Sequence, residues 1–470
     1  MSSPIYDVVI VGGGPAGLAA AATLAKQGLS VAVVDQQHLP GGQIYRSVEQ
    51  RAKVSEDLEL KHGATLVKEA QDAGMEWFGG RTIWQVTDER ELLMSNGNRT
   101  ERLIWRKLIV AAGALERPMP IPGWTLPGVM TAGAGQILLK SSQLVPKGEV
   151  WLAGSGPLLL LLACQWLKQG VRIAGVLDTT SSYQVLRACR HLPGALRRAA
   201  DLRRGWAWRR ELHRAGVPWI RVDGEIVAEG DMRLERVSWS RRGRAYVAPA
   251  DLLFLHQGVV PNIRLLQSMG AEVKWDPLQR AFRPVADSWG RSSVTDVFVA
   301  GDCAGIIGAE SAELHGRLVA IGILSALDRM NQDERDLFAT RLIREMKGLA
   351  SLRAFLDAAF LPSIQNRVPR RPDTIVCRCE CVSVERIQFA LNSGCETPND
   401  VKLATRCAMG PCQGRQCSDT LQELVAEHYG VLPNAASVLR VRTPIEPVTL
   451  NELMEIEALR SLDKSELPAR

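Results

Sequence analysis

The chain has 470 residues, 46% of them hydrophobic and 23% charged, a composition that is typical of folded globular proteins and excludes a disordered or fibrous chain. This length predicts roughly two to four domains. The 57 basic and 51 acidic residues nearly balance, and the small net charge of +6 argues against a nucleic-acid partner.

The first residues lead directly into an apolar strand at residues 8–11, with no basic segment before it, so no secretory signal is predicted. The longest apolar run, residues 158–162, is too short to span a bilayer. We therefore expect a cytoplasmic protein whose contact with a membrane is at most peripheral, at the inner face.

The first motif is a glycine turn between a strand and an alanine-rich helix. Gly12, Gly14 and Gly17 fit the G-x-G-x-x-G fingerprint of a dinucleotide-binding βαβ unit, with Pro15 and Ala16 between them. The first glycine permits the tight turn, the second lets a diphosphate approach the backbone, and the third allows close helix–strand packing. The helix N-terminus then stabilises the phosphate charge.

The strand that follows this helix ends in an acidic residue. Asp35, with Gln36 after it, is placed to accept hydrogen bonds from the ribose hydroxyls of an adenosine. The turn and the acid together predict a dinucleotide site in the N-terminal domain.

A second βαβ unit follows at residues 149–178. Gly154 and Gly156 occupy the first two glycine positions, but Leu159 replaces the third. A bulky residue there separates helix from strand, which makes close approach of NAD(P)H unfavourable. We expect either a structurally bound adenine nucleotide or an empty fold.

An arginine-rich stretch at residues 187–210 includes two tryptophans, Trp206 and Trp208. We interpret it as a solvated helix face with the tryptophans packed inward. The alternative is a docking surface for a partner subunit or anionic lipid.

A later segment, TDVFVAGDCAG, predicts a strand that returns to the first domain and favours FAD over NAD as its ligand. Gly301 and Asp302 follow this strand. We expect backbone amides at the start of the next helix to bind the anion while Asp302 accepts a ribityl hydroxyl. The alternative role for Asp302 is a helix cap.

The cysteines outside the C-terminal region provide no redox pair. Cys164, Cys189 and Cys303 lack the C-x-x-C or C-x-x-x-x-C spacing of flavin-linked dithiols, so a disulfide reductase is not predicted. Cys303 is interpreted as a small buried apolar side chain.

Seven further cysteines lie between residues 377 and 417. Such clustering in a cytosolic chain indicates metal binding more than disulfides. Four thiolates suit either a [2Fe-2S] cluster or a structural zinc ion. A flavin in the same chain favours the cluster, because zinc cannot change oxidation state.

Three longer motifs carry a family resemblance: PGGQIYR at residues 40–46, AAGALERPMPIPGWTLPGVMTAGAGQ at 111–136 and HQGVVPN at 256–262. They resemble the flavoprotein α subunits of heteromeric amine dehydrogenases, which include opine oxidases, D-hydroxyproline dehydrogenase and hydrogen cyanide synthase. The resemblance extends over nearly the whole chain.

This resemblance implies that Gly42, Gln43, Ala112 and Gly113 lie at the flavin. It also implies a partner, an FAD-dependent β subunit, with or without a small γ subunit. His315 stands where the family pattern has an acidic residue. We expect a packed helix histidine, the alternative being a residue that lines the flavin pocket.

The C-terminal region resembles the ferredoxin-like domain of bacterioferritin-associated ferredoxin. By this resemblance Cys377 and Cys379 form the first ligand pair of a [2Fe-2S] cluster, and Cys412 and Cys417 form the second. Three other cysteines are then supernumerary: Cys381, Cys395 and Cys407.

The predicted fold class is α/β, with two Rossmann-like, three-layer ββα domains of the pyridine-nucleotide-disulfide-oxidoreductase type and a small helical [2Fe-2S] domain. The expected divisions are an FAD-binding domain at 1–145 and 273–330, a second nucleotide-binding-like domain at 146–272, a helical region and linker at 331–373, the cluster domain at 374–432 and a tail at 433–470.

These features predict one component of a dehydrogenase complex that oxidises the C–N bond of an amino acid or opine-like secondary amine and passes electrons to a quinone or other acceptor. No residue constellation for a catalytic base is evident in the sequence. One alternative is a self-sufficient NAD(P)H-dependent flavin and iron-sulfur oxidoreductase. Another is an iron-handling or redox-sensing protein.

Overall fold

The computed structural model describes residues 4–53 and 57–456. The last part of the predicted tail, residues 457–470, lies outside the described residues. Across the described ranges, no helix has the length and apolar character needed to cross a membrane.

Strands and helices alternate along most of the chain. The first part contains β1 (Ile5–Val11), α1 (Pro15–Ala25), β2 (Val31–Asp35), α2 (Val48–Ala52), α3 (Leu58–Asp72), β3 (Glu76–Gly79), β4 (Thr82–Val86), β5 (Glu91–Ser95), β6 (Thr100–Val110) and β7 (Ala114–Glu116). The next part contains β8 (Val129–Thr131), α4 (Ala132–Ser142), β9 (Val150–Gly154), α5 (Pro157–Lys168), β10 (Ile173–Asp178), α6 (Ser182–Ala188), α7 (Leu192–Ala195), α8 (Ala199–Arg214), β11 (Trp219–Arg221), β12 (Ile226–Glu229), β13 (Arg236–Arg241), β14 (Arg244–Pro249) and β15 (Leu252–His256).

The chain continues with β16 (Val259–Pro261), α9 (Arg264–Ser268), β17 (Val273–Asp276), β18 (Ala281–Pro284), β19 (Val297–Val299), a 3-10 turn (Gly301–Ala304), α10 (Ala309–Ala326), α11 (Gln332–Ala359) and α12 (Ile364–Arg367). The cysteine-rich part contains β20 (Ile375–Cys377), β21 (Val382–Ser383), α13 (Val384–Asn392), α14 (Pro398–Thr405) and α15 (Ser418–His428).

The first sheet is built around β1. Strands β3, β2, β1 and β6 lie side by side in parallel, β19 pairs with the end of β6, and β5 and β4 extend β6 as an antiparallel meander. Residues 8–11 of β1 are apolar without a break because both faces of the strand are buried. Helices α1, α3 and α10 pack on one face, and strands β4 and β5 with α9 pack on the other. The glycine turn therefore leaves from the carboxyl edge of the sheet, where open α/β folds bind their ligands.

Helices α1 and α10 cross this sheet in close contact. A Cβ on Gly316 would lie 2.1 Å from the carbonyl oxygen of Ala16. Because α1 is rich in alanine, its side chains leave room for this approach. The residue pair fixes the start of α1 against the returning part of the chain.

The second sheet is fully parallel, in the order β11-β10-β9-β15-β8, and a separate antiparallel meander joins β12, β13 and β14. The predicted boundary at residue 146 needs correction because β8 already pairs with β15. Met119 and Trp124 also pack in the same core as Trp151. The two doubly wound units confirm the predicted α/β fold class.

Helix α11 follows α10 of the first unit, packs against it, and leads towards the cysteine-rich part. It packs against α6 and α7, where the Ser351 hydroxyl donates a hydrogen bond to the Gly194 carbonyl at 2.9 Å. Its C-terminal end reaches the second glycine turn, where Phe360 lies.

The cysteine-bearing domain is small and helical. The β20–β21 hairpin precedes α13, α14 and α15, which pack around an apolar core that includes Val382, Ile387 and Leu421. The following tail contributes Leu439 to this core and then places Ile445 in the core of the first unit. The tail therefore joins the two domains a second time.

Candidate cofactor sites

The glycine turn between β1 and α1 has two crowded glycines and one open glycine. A Cβ would lie 2.3 Å from the Ala111 oxygen at Gly12 and 1.9 Å from the Gly12 oxygen at Gly17. At Gly14 the nearest atom is the Cα of Gly42, 4.0 Å away. The fold thus requires the first and third glycines, and the second leaves space for a ligand.

The acid after β2 lies against this turn. Asp35 accepts hydrogen bonds from the Gly13 amide at 2.6 Å and the Gln37 amide at 2.7 Å, while Gln36 is exposed beside it. Burial raises the pKa of Asp35, although the two amides and nearby Arg46 oppose the rise. Asp35 is therefore at the position where an adenosine ribose would approach the turn.

The predicted flavin loop at residues 40–46 packs beside the turn. A Cβ on Gly42, whose φ is +60°, would lie 2.8 Å from the Gly14 Cα. Gln43 is exposed, and its carbonyl accepts a hydrogen bond from the Lys140 ammonium at 3.1 Å. Burial, with the charges of Arg51 and Arg46, lowers the pKa of Lys140 to about 8. Helix α4 thus binds this loop to the second unit.

The segment after β6 carries Ala112 and Gly113 along the same edge. Gly113 has a φ of +67°, and its carbonyl accepts a hydrogen bond from the Asn262 amide at 3.0 Å. No described atom lies within 4 Å of a Cβ placed on Gly113. This backbone therefore borders open space beside the glycine turn.

Gly301 and Asp302 occupy the turn before α10. The Asp302 Oδ1 atom accepts hydrogen bonds from the amides of Ile307 at 2.8 Å and Gly308 at 2.9 Å. These amides precede α10, whose N-cap is Gly308, so Asp302 is not the helix cap that the alternative expected. Its Oδ2 atom has no hydrogen bond to any described residue and remains able to accept a ligand hydroxyl.

His315 supports this turn from α10. Its Nδ1 atom accepts a hydrogen bond from the Gly301 amide at 3.1 Å. Burial lowers the pKa of His315 to about 4, so the ring is neutral at pH 7. The geometry matches the expected packed helix histidine and gives it a positioning role beside the flavin-type site.

The cysteine-bearing domain brings five thiols together. The Sγ atoms of Cys377, Cys407 and Cys417 lie within 4.8 Å of one another, and all three residues are buried. Cys379 and Cys412 form a second, more accessible group joined by hydrogen bonds. Of the four predicted ligands, Cys377 and Cys417 thus lie in the buried thiol group, which also contains Cys407, whereas Cys379 and Cys412 are not part of it. The assignment of these four cysteines as ligands stays a prediction.

The remaining two cysteines of this region lie apart from the buried group. Cys381 is exposed, with its thiol 3.8 Å from the Arg378 carbonyl oxygen, and Cys395 lies where its carbonyl accepts a hydrogen bond from Tyr429.

The local environment stabilises a thiolate at this site. Hydrogen bonds from Cys407 and Cys417 and from the backbone amides of Ala408 and Glu380 lower the pKa of Cys377. The hydrogen bond that each donates to the Cys377 thiolate, together with burial, raises the pKa of Cys407 and of Cys417. A site of several converging thiols and backbone donors has the ligand chemistry that soft metals and iron-sulfur clusters require.

A buried ionic network holds this domain against the first unit. Glu423 on α15 contacts Arg280, with Arg280 Nε to Glu423 Oε1 at 2.8 Å, and also Arg367. Burial opposes ionisation, yet the two guanidiniums outweigh it and lower the pKa of Glu423. The cysteine domain is thereby fixed to the turn between β17 and β18.

Residues 6–318 match the family model described as pyridine nucleotide-disulphide oxidoreductase. The A subunit of opine oxidase from Rhizobium meliloti is 37% identical over 466 residues, covering 96% of this chain and 88% of that protein. The chain belongs to this family of flavoproteins. It is an FAD-dependent oxidoreductase.

Other relatives are similarly long. The hydrogen cyanide synthase subunit HcnB of Pseudomonas aeruginosa is 30% identical to the flavoprotein over 465 residues, covering 95% of this chain and 98% of that one. Among solved structures, the crystal structure of L-proline dehydrogenase from P. horikoshii has a TM-score of 0.69 at 21% identity and covers 96% of this chain and 80% of that chain. At this identity the structural likeness concerns the fold alone.

The second nucleotide fold of the flavoprotein is partly filled. Asp178 is buried and accepts hydrogen bonds from the Thr180 amide at 2.9 Å and the Trp219 indole at 2.8 Å. Leu159 and Phe360 line the remaining cavity of about 250 Å³. This volume is smaller than the roughly 300–1,000 Å³ of typical ligand pockets.

Two of the three scattered cysteines, Cys164 and Cys303, are buried and unsuited to thiol chemistry. Cys303 is fully buried, its thiol donates to the Asn262 carbonyl at 3.1 Å, and burial raises its pKa to about 12. Burial likewise raises the pKa of Cys164 to about 12. These cysteines pack as small apolar side chains.

Glu116 and His256 form a pair beside the second glycine turn that the sequence alone did not reveal. Glu116, in the motif at residues 111–136, accepts a hydrogen bond from the Gly133 amide at 2.8 Å and lies 2.6 Å from His256 Nδ1. The two residues are 140 positions apart, but both belong to motifs that carry the family resemblance. The polar residues inside these two motifs are the feature of the sequence that could have indicated the pair.

Proposed function

We propose that this flavoprotein is the FAD- and [2Fe-2S]-containing subunit of a heteromeric dehydrogenase that oxidises the C–N bond of an amino acid or opine-like secondary amine. The observation that carries the proposal is the 37% identity to the A subunit of opine oxidase over 96% of this chain, a span that includes the cysteine-bearing domain. The relatives are named as subunits, which supports a partner in the form of an FAD-dependent β subunit.

The reaction removes two electrons from the substrate. The C–H bond beside nitrogen breaks as a hydride transfer, nitrogen loses a proton, and an imine forms. FAD accepts such an electron pair and releases it in single steps, and a [2Fe-2S] cluster carries one electron at a time. The final acceptor is a quinone or another oxidant. In this proposal the hydride would pass to a flavin on the β subunit, and the residues of this chain would hold the FAD and the cluster that carry the electrons on to the acceptor.

The proposed [2Fe-2S] cluster is supported by two groups of thiols in one small domain. Cys377, Cys407 and Cys417 form the buried group, and Cys379 and Cys412 form the more accessible pair. We assign the four predicted cysteines as ligands and Cys407 as a fifth thiol that packs against them.

Metal analysis and cysteine variants test this assignment. Equal iron and acid-labile sulfide are expected, whereas zinc without labile sulfide would contradict the cluster. Cys412→Ser and Cys417→Ser should each lose the cluster and retain FAD, and Cys395→Ser, away from the buried thiols, is the matched control. Loss of the cluster in Cys407→Ser but not in Cys417→Ser would reassign the second pair.

The source of electrons is expected to be the partner and not NAD(P)H. In the second nucleotide fold the acid, Asp178, is buried, and Leu159 lines the cavity in place of the third glycine. An adenine nucleotide bound there would be structural. A hydride must start about 3 to 3.5 Å from the atom that receives it, which requires a fitted pocket for the donor.

Anaerobic mixing of the isolated holoprotein with NADH tests this source directly. We expect no appreciable bleaching of the flavin band, no amine dehydrogenase activity from the chain alone, and dye-linked oxidation of one amine after co-expression with the β subunit. Rapid, complete bleaching by NADH would refute the subunit proposal in favour of a self-sufficient reductase.

A further inference from the structure

The positive charge of the protein is concentrated in one segment. Residues 182–214 contain nine arginines, no lysine and two acidic residues, which gives a net charge of +7, against +6 for the whole chain. The rest of the chain is therefore close to neutral, at −1. We call the exposed side chains of this segment, on α6, α8 and the turns between them, the arginine-rich surface.

Most of these arginines have no acidic partner. Arg198 and Arg204 pair with carboxylates, the former with Asp201 and Glu310 and the latter with Glu59. Within the described parts of the chain, no ion pair is made by the exposed arginines 187, 190, 197, 203, 209, 210 and 214. Their charge therefore faces solvent or a partner outside the chain.

Large apolar side chains project among these arginines. Leu186 is 71% exposed, Tyr183 65%, Trp206 64% and Leu196 56%. The expectation that both tryptophans pack inward is thus wrong for Trp206, whereas Trp208 packs against the core of the second unit. Folding alone does not account for so much exposed apolar surface at one charged site.

Each of the two aromatic side chains has a guanidinium beside its ring. Arg187 lies 5.7 Å from the centre of the Tyr183 ring, and Arg210 lies 5.4 Å from that of Trp206. Leu196 directly precedes an exposed arginine in the chain. Such alternation fits a lipid interface, where aromatic and aliphatic groups enter the acyl boundary while cations meet phosphates.

The two main helices of this surface are neighbours. Val185 on α6 and Arg209 on α8 line the same cavity, and the Arg221 guanidinium after α8 donates to the Ser182 hydroxyl at 2.7 Å. The exposed groups on α6 and α8 therefore belong to one region of the second unit.

We propose that the arginine-rich surface docks the protein on an anionic lipid bilayer. The positive charge is complementary to acidic headgroups, and the apolar side chains between the arginines can insert into the acyl boundary. A purely ionic contact with an acidic protein would not need these apolar side chains. The docking is peripheral and independent of which acceptor takes the electrons.

Vesicle sedimentation with the full-length holoprotein tests this inference. We expect binding to vesicles of phosphatidylcholine and phosphatidylglycerol in equal parts, weak binding to phosphatidylcholine alone, and weakening by salt. The triple variant Arg190→Glu, Arg197→Glu, Arg203→Glu should lower the partition coefficient at least about 100-fold, since each basic residue near an anionic surface strengthens binding about fivefold.

A second variant separates insertion from charge. Leu186→Ser with Trp206→Ser should weaken vesicle binding at unchanged charge, whereas the control Met232→Ser with Phe389→Ser, at similarly exposed apolar residues elsewhere, should not. Circular dichroism and flavin absorbance establish that each variant is folded. Equal binding to both vesicle types, no binding by the wild type, or unchanged binding by the arginine variant would overturn the proposal. Loss of β-subunit binding in the arginine variant with vesicle binding intact would assign the surface to a protein partner.

Discussion

His315 is expected to make the flavin-type site sensitive to acid. Its Nδ1 atom accepts a hydrogen bond from the Gly301 amide, and only the neutral ring can accept this bond. Burial lowers the pKa of His315 from 6.5 to about 4. In a protonated ring Nδ1 carries a hydrogen and can no longer accept from the Gly301 amide. Acid should therefore release the turn that holds Gly301 and Asp302.

The magnitude follows from proton linkage. A histidine whose pKa is lowered by folding binds fewer protons in the native state than in the unfolded state between these two pKa values. Its stabilising contribution is therefore complete above pH 6.5 and is lost as the pH falls from 6.5 towards about 4. Since one pKa unit corresponds to about 1.4 kcal/mol, the loss is about 3 kcal/mol.

The assay is urea unfolding of the wild type and of His315→Gln at pH 7 and at pH 4. Unfolding is monitored through the release of the flavin. Glutamine can accept the Gly301 amide proton through its side-chain oxygen but does not titrate, so this variant should lose about 3 kcal/mol less on acidification. His315→Leu should cost about 1–3 kcal/mol at pH 7, because the amide is left unpaired, and this cost should disappear at pH 4, where the wild type has lost the contribution of the neutral ring. Equal acid losses in the wild type and the glutamine variant would refute the reasoning.

Two matched pairs of variants give the remaining predictions. Gly17→Ala should lower the melting temperature of the FAD-free protein, because its Cβ would lie 1.9 Å from a carbonyl oxygen. Gly14→Ala should leave that temperature nearly unchanged and reduce FAD retention. The reverse order of effects would contradict the assignment of the space at Gly14 to the diphosphate. Glu423→Ala should cost about 3–5 kcal/mol by leaving buried arginines unpaired and should speed hydrogen exchange in the cysteine domain. Glu427→Ala, which removes an exposed pair with Arg370, should cost less than about 1 kcal/mol, and equal effects of the two would argue against the buried network.

The sequence predicted those features that depend on local pattern. The glycine spacing at residues 12–17 and the apolar strand before it indicate a βαβ unit, because the tight turn and the close packing leave few alternatives to glycine. In the second fold Leu159 lines the cavity beside the glycine turn, and the poor nicotinamide binding that its size predicts stays a prediction.

Features that depend on distant contacts could not be read in this way. The second unit starts earlier than predicted because β8 pairs with β15, more than 100 residues later in the chain. Cys407 was set aside on spacing, yet the fold places its thiol among the buried ones. Trp206 was expected to pack inward, but the helix presents only part of its circumference to the core, and Trp206 lies on the other side.

The C-terminal tail gives the cysteine domain a second attachment. The Ile445 amide donates to the Trp84 carbonyl at 2.9 Å, and Glu446 pairs with both Arg264 and Arg415. With Glu423 anchored as well, a redox group in this domain would sit at a constant distance from the flavin-type site. Electron transfer between the flavin-type site and the cysteine domain would then need no domain movement. Turnover should be insensitive to solvent viscosity, except where a separate acceptor must diffuse to the protein.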